Sequence, residues 1–204
     1  MKYYAFAAVG AAAILLGTTA YLTFGEPENK FAQCTANRIA GGASTIGGPF
    51  SLIDKNGERV TDKDVITKPS LVYFGYTFCP DVCPLDSARN ADAVDILDEM
   101  GIETTPVFIT IDPERDTPEV VGEFADVFHE RMIGLTGTAE DVKAASRAYK
   151  TYYKKNESDD EYYLVDHSTS TYLTLPEYGT VTYFKRDDSP EVIAETIACF
   201  VENS

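Results

Sequence analysis

"LVYFGYTFCPDVCPLDSARNADAVDILDEMGIETTPVFITI" (Leu71–Ile111) decides how the chain folds. It opens on "LVYFGY" (Leu71–Tyr76), a continuous apolar run of the length expected for a strand buried on both faces. It closes on "PVFITI" (Pro106–Ile111), a second such run rich in β-branched residues. Between them the apolar spacing changes to that of a helix. Ala93, Ile96, Leu97 and Met100 share one face, and Gly101 supplies the stop. Pro84 suits the first helical position, with Cys83 near the cap. Strand, cysteine loop, helix and strand in that order predict a βαβ unit with two parallel strands.

The flanks extend this α/β reading. "PFSLID" and "ERVT" surround Lys55-Asn56-Gly57, which predicts an N-terminal β-hairpin. A second helix is expected from Thr117-Pro118 to about His129. A third starts at Thr138, with Asp141 completing a capping-box pattern, and runs to about Tyr152. "KNESDDE" (Lys155–Glu161) reads as a polar loop. "YYLVD" and "STYLTL" read as strands around Asp166-His167-Ser168, "TVTYF" (Thr180–Phe184) as another strand, and Ser189–Phe200 as the last helix. A cysteine motif after the first core strand, with a late antiparallel pair, fits a thioredoxin-like fold: a central sheet with helices on both faces. The expected division is an N-terminal transmembrane anchor at 1–25, a tether at 26–46 rich in Gly and small residues, and the folded domain at 47–204.

The anchor rests on "YYAFAAVGAAAILLGTTAYLTF" (Tyr3–Phe24), which holds no charged residue and is long enough to cross a bilayer as a helix. Lys2 precedes it, and Glu26 and Glu28 follow before Lys30. The positive end is therefore N-terminal, which predicts a single-pass protein of the inner (cytoplasmic) membrane with its domain on the periplasmic side. Thr18 and Ala20 keep a cleaved signal peptide as the rival reading. The net charge of -16 argues against nucleic acid, whose phosphates need a basic face.

Cys79 and Cys83 stand where a strand ends and a helix begins. Unpaired N–H groups and the positive end of the helix dipole stabilise thiolates there, the form that both binds metal and exchanges disulfides. A bridge between them would close a very small ring and stabilise little, so a plain structural disulfide is a weak explanation. Two thiolates make an incomplete metal site. Of the chain's two histidines, His129 reads as a surface helix residue. His167 lies in a turn between predicted strands, where the residues leave ligand and ordinary turn residue equally open. Asp166 is placed to bond the other imidazole nitrogen. A Cys₂His set with no obvious fourth ligand suits copper, bound and surrendered, better than structural zinc.

"YFGYTFCPDVCP", "PVFITIDPERDTP", "GLTGT" and "DHSTSTYL" together resemble the signature segments of the Sco/SenC family. The resemblance covers about residues 46–200 and implies a membrane-tethered, thioredoxin-like copper protein. It implies Cys79, Cys83 and His167 as copper ligands, Cu(I) or Cu(II), and as partners a periplasmic copper donor and the CuA domain of cytochrome c oxidase subunit II. It gives three rival activities at one site: copper chaperone, thiol-disulfide oxidoreductase using the Cys79–Cys83 pair, and copper or redox sensor. "DPERDTP" (Asp112–Pro118) is also typical of the family; we read it as a strand-end loop and helix cap, with Thr117 or Asp116 capping, and assign it no chemistry.

Cys34 and Cys199 fall outside the copper motif. In an oxidising compartment the simplest reading is that they pair, tying the tether to the domain; a free buried Cys199 and an intermolecular contact through Cys34 are the rival readings.

Overall fold

A computed structural model describes residues 30–34, 45–156 and 163–204. β1 (Ser51–Ile53) and β2 (Arg59–Thr61) form the expected antiparallel hairpin. Asp54 closes its turn by accepting the N–H groups of Asn56 and Glu58, each at 2.9 Å. Gly57 takes the left-handed φ of 79° that the turn requires. A short helix, α1 (Asp62–Val65), follows with a Thr61–Asp64 capping box.

The quoted stretch then becomes β3 (Ser70–Gly75), α2 (Val82–Glu99) and β4 (Thr105–Thr110). β3 and β4 are adjacent and parallel, in register from Ser70↔Thr105 to Gly75↔Thr110. β3 is buried at every position, as a strand covered on both faces must be. α2 begins earlier than the position of Pro84 predicts. Asp81 is the N-cap, so Cys83 and Pro84 lie inside the first turn. The first N–H groups of a helix have no internal partner, and a proline without one is tolerated throughout that turn.

α3 (Pro118–Phe128) starts as expected, with Thr117 as its cap. β5 (Ile133–Leu135), for which the sequence pattern gives no warning, pairs in parallel with β4. α4 (Ala139–Ala148) has the predicted Thr138–Asp141 capping box but stops short of Tyr152. Lys150 adopts a left-handed φ of 53° and the Thr151 N–H turns back to Ser146 O at 3.0 Å, ending the helix there.

The larger departure comes next. β6 (Tyr153–Lys155) and β7 (Val165–His167) form a separate antiparallel hairpin, with Tyr153 opposite His167. The expected strand at "YYLVD" is thus realised as β7, and its partner is β6, not the strand of "STYLTL". That strand is β8 (Thr171–Leu175), which pairs with β3 and with β9 (Gly179–Phe184). α5 (Pro190–Glu202) closes the chain with Ser189 as cap.

The central sheet has the order β5-β4-β3-β8-β9, parallel on one side of β3 and antiparallel on the other. α2 packs along α5, and α3 packs on β5 and β4. This mixed sheet with flanking helices is the arrangement expected of a thioredoxin-like domain. Gly134 on β5 permits the close approach of α3, since a Cβ there would lie 2.2 Å from Val121 O.

The chain divides into two compact units, Met1–Gln33 and Cys34–Ser204. In the first, residues 30–33 form a turn. The expected anchor over 3–24 lies outside the described residues, among which no helix is long and apolar enough to cross a membrane. Within the second unit Cys34 is bonded to Cys199, their Cα atoms 5.4 Å apart and 165 residues distant in sequence.

Candidate metal centre

The site lies beyond the carboxyl end of β3, where open α/β sheets place their ligands. The segment from Tyr76 to Asp81 leaves the strand and enters α2, bringing Cys79 to the N-terminus of the helix and Cys83 into its first turn. The Cys83 N–H donates to Cys79 Sγ at 3.4 Å. His167, at the end of β7, brings Nε2 to 3.4 Å from Cys83 Sγ. The three ligand atoms all lie within 4.8 Å of one another. The three residues singled out in the sequence therefore converge, although 84 residues separate Cys83 from His167.

The imidazole is held in one tautomer. Its Nδ1 lies 2.8 Å from the carbonyl oxygen of Ser168, which can only accept, so Nδ1 carries the proton. Nε2 faces the sulfurs, and in the neutral ring it carries the lone pair that a metal ligand needs. The expected partner, Asp166, does not take part; it accepts instead from Asn156 Nδ2 at 3.4 Å. Alternation along β7 explains this, because consecutive side chains point to opposite faces. Tyr76 and Tyr73 meet the imidazole edge-on, with ring centroids 5.8 and 6.3 Å away, and fix the plane of the ring.

The two sulfurs are unequal. Cys79 is 8% exposed and Cys83 fully buried. The Cys83 thiol donates to Cys79, and the N–H groups of Asp81 and Cys83 add to it, so the Cys79 thiol is held far below its ordinary value, at about 4. The Cys83 thiol is pushed up, first by the charge on Cys79 that its proton serves and then by burial. One thiolate and one thiol share the metal-free site at neutral pH. A thiolate reacts and a thiol does not, so alkylation of Cys79 in the metal-free, reduced chain is expected to proceed at an undiminished rate from pH 8 down to about pH 5. It should slow only as the pH falls through about 4. A profile that halves near pH 8 to 9 would show that the pair does not share its proton in this way.

Gly75, the last residue of β3, is a requirement of the site that the strand pattern does not announce. A Cβ there would lie 3.0 Å from Cys83 Sγ, 2.8 Å from Tyr73 and 2.9 Å from Phe108. Two of those neighbours are buried aromatic rings with nowhere to retreat, so the sulfur or the strand must move. Gly75→Ala is expected to cost about 1–3 kcal/mol of stability, the range for overpacking, and to displace the Cys83 sulfur. Denaturant unfolding and metal titration of the same variant check both parts.

Asp116 is the second contributor not read from the sequence. It does not cap α3. It is fully buried, and its carboxylate accepts the Thr77 N–H at 3.0 Å and the hydroxyls of Thr77 and Thr110, each at 2.6 Å. Burial raises its carboxyl above the usual range, and the threonine hydrogen bonds oppose that rise.

The other histidine is no surface residue. His129 keeps only 8% of its side chain exposed, at the C-cap of α3 near Asp95 and Asp98. Its Nδ1 accepts the Arg131 N–H at 3.0 Å and its Nε2 faces Asp95 at 3.5 Å, so neither nitrogen offers a lone pair to a metal. Asp98 is meanwhile held by Arg131 at 2.7 Å.

The SCO1/SenC family model matches residues 39–202. The chain is 51% identical over 203 residues to protein SenC of Rhodobacter capsulatus, covering 98% of this chain and 91% of that one. It is 43% identical over 160 residues to the mitochondrial SCO1 homolog of Homo sapiens, covering 77% of this chain and 53% of the human one. Among solved structures, copper-bound ScoI of Arabidopsis thaliana matches with a TM-score of 0.75 at 42% identity, over 78% of this chain and 99% of that one. Copper-bound yeast Sco1 matches with a TM-score of 0.73 at 37% identity, over 78% of this chain and 90% of that one. Sequence identity, shared fold and a convergent Cys-Cys-His group agree, and the chain belongs to the SCO1/SenC family.

Proposed function

We propose that the chain is a membrane-anchored copper chaperone that holds copper between Cys79, Cys83 and His167 and passes it to the CuA domain of cytochrome c oxidase subunit II. The observation that carries this reading is the meeting of two sulfurs and one imidazole nitrogen within 4.8 Å. Soft sulfur ligands select Cu(I), imidazole accepts either oxidation state, and a structural zinc site would ask for a fourth protein ligand. Among the described residues the group contains three. Structures of family members with copper bound support the choice of metal.

The chain's place follows from the same reasoning. The run over 3–24 anchors it in the inner membrane, and the domain faces the periplasm, where a donor loads it. The Cys34–Cys199 bridge supports an oxidising compartment, because such bonds are rare in reducing ones.

The unequal sulfurs favour a second reading at the same site. A stable thiolate on Cys79 beside a buried thiol on Cys83 is also the arrangement of a dithiol reductant. In that role two electrons leave the pair: the Cys79 thiolate attacks an acceptor disulfide, Cys83 gives up its one proton as its sulfur bonds to Cys79, and the acceptor leaves as two thiols that take that proton and one from solvent. One experiment separates the two. The copper-loaded chain is mixed with the metal-free CuA domain, and metal and thiols are counted on each partner. Copper moving to the acceptor while Cys79 and Cys83 remain reduced is the chaperone outcome. Acceptor thiols appearing at the expense of Cys79 and Cys83, with copper released to solution and none on the acceptor, is the reductase outcome and sinks the first reading.

A further inference from the structure

The three ligands sit on two pieces of chain far apart in sequence: the loop into α2, and the β6–β7 hairpin. Something must set the distance from one to the other before metal arrives. The five residues Asp112–Asp116 contact both pieces.

Toward the cysteines, the contact is Asp116. It receives both the N–H and the hydroxyl of Thr77, two positions before Cys79. It is anchored in turn by Thr110 on β4, and its own carbonyl accepts the Thr136 hydroxyl at 2.7 Å. Toward the histidine, the contacts are Asp112, Glu114 and Arg115. Asp112 accepts the Tyr163 hydroxyl at 2.6 Å and Arg115 Nε at 2.5 Å. Arg115 Nη1 donates to Tyr163 O at 3.1 Å, and the guanidinium lies 3.6 Å from the Tyr163 ring centroid and 4.9 Å from that of Phe78, next to Cys79. Glu114 binds Lys155 at the end of β6 at 2.7 Å. Tyr163 and Lys155 flank the strands that present His167.

We propose that Asp112–Asp116 is a bracket that presets the spacing of His167 from the cysteine pair, with Arg115 the positioning residue for the histidine and Thr77–Asp116 the positioning pair for the cysteines. The proposal rests on the copper reading of the site and adds to it a division of labour. Arg115 acts chiefly through His167, while its guanidinium also lies against Phe78 and Tyr76 of the cysteine loop. Thr77 and Asp116 act only through the sulfurs. Partners that orient metal ligands are worth about 10–100-fold in affinity.

The test is a double-mutant cycle on the full chain, with Cu(I) affinity read by competition against a chromophoric chelator. Arg115→Ala is expected to lower affinity about 10-fold or more, and to lose most of that effect when His167 is already alanine. Thr77→Val is expected to lower affinity by a similar factor in both backgrounds, and Thr77→Ser to restore it. Arg115→Lys keeps the charge but loses the planar fork, so it should behave as Arg115→Ala does, and it serves if the alanine variant does not fold. Amide hydrogen exchange on the metal-free chain gives a readout that needs no copper. In the Arg115 variants exchange should quicken about 10-fold in β6–β7 and stay unchanged in β3 and β4. Equal losses of copper affinity for the Arg115 variants with and without His167 would overturn the proposal, as would unchanged exchange in the hairpin. If His167→Ala binds copper as tightly as the unaltered chain, it is the copper reading that fails, and the exchange data alone then judge the bracket.

Discussion

Replacing His167 with alanine is expected to weaken Cu(I) binding by about 100-fold or more, beyond the range typical for a supporting partner, and to leave disulfide exchange at Cys79 close to its original rate. The asymmetry follows from geometry. His167 Nε2 faces the sulfur of Cys83, while Cys79 draws its thiolate character chiefly from the Cys83 thiol and the backbone N–H groups of the helix start. Removing the imidazole takes away one of three ligands but leaves those donors in place. Competition titration measures the first effect, and the rate of reaction with a model disulfide measures the second. An unchanged copper affinity would mean that the two sulfurs hold the metal by themselves. A large loss of exchange rate would mean that the imidazole, and not the helix start, sustains the thiolate.

The second large effect concerns a bond outside the Cys79, Cys83 and His167 group. Replacing both Cys34 and Cys199 with serine is expected to cost on the order of 4 kcal/mol of stability in the metal-free chain. The bridge closes a span of 165 residues, so it restrains nearly all of the unfolded domain. In a chain of this size that loss corresponds to a melting temperature lower by about 8–16 °C. Denaturant unfolding under non-reducing conditions checks it, with reduced unaltered chain as the matched control. A thiol count makes the pairing itself testable. The variant lacking Cys79 and Cys83 should show no titratable thiol after denaturation, since those two are the free cysteines of the structure.

Much of the fold was legible because its core elements are strongly patterned. "LVYFGY" and "PVFITI" are apolar at every or nearly every position, and only a doubly covered strand has use for that. The Thr117-Pro118 and Ser189-Pro190 steps and the Thr138–Asp141 box each carry their own capping chemistry, and each marks a real helix start. β5 and β6 were not legible. Each is three residues long, too short for a period to show, and each exists because a neighbouring strand offers it hydrogen bonds. The partnership of β6 with β7 is a long-range fact of the same kind.

In the site, the residue types gave Cys79, Cys83 and His167, and family resemblance joined them. The supports were hidden for different reasons. Gly75 looks like a weak residue in a strand until the Cys83 sulfur is placed above it. Asp116 looks like a helix cap, because sequence cannot say which of two adjacent residues turns inward; Thr117 caps, and Asp116 is buried. Ser168 orients the imidazole through its carbonyl, which every residue possesses, so no side-chain pattern could have marked that contact.

The long span of the Cys34–Cys199 bridge bears on how the molecule is made. A chain emerges from its N-terminus, so Cys34 meets Cys79 and Cys83 long before Cys199 exists. Four cysteines allow three complete pairings, and order of appearance favours the wrong partners. Oxidation during emergence can join only the cysteines already out: Cys34 to Cys79 or Cys83, or Cys79 to Cys83. The native bond therefore calls for an oxidant that acts after α5 has docked, or for thiol exchange that corrects the first bond formed. Mass mapping of a Cys199→Ser chain matured in an oxidising compartment should find two of Cys34, Cys79 and Cys83 bridged; finding all three thiols free would show that oxidation waits for the finished fold.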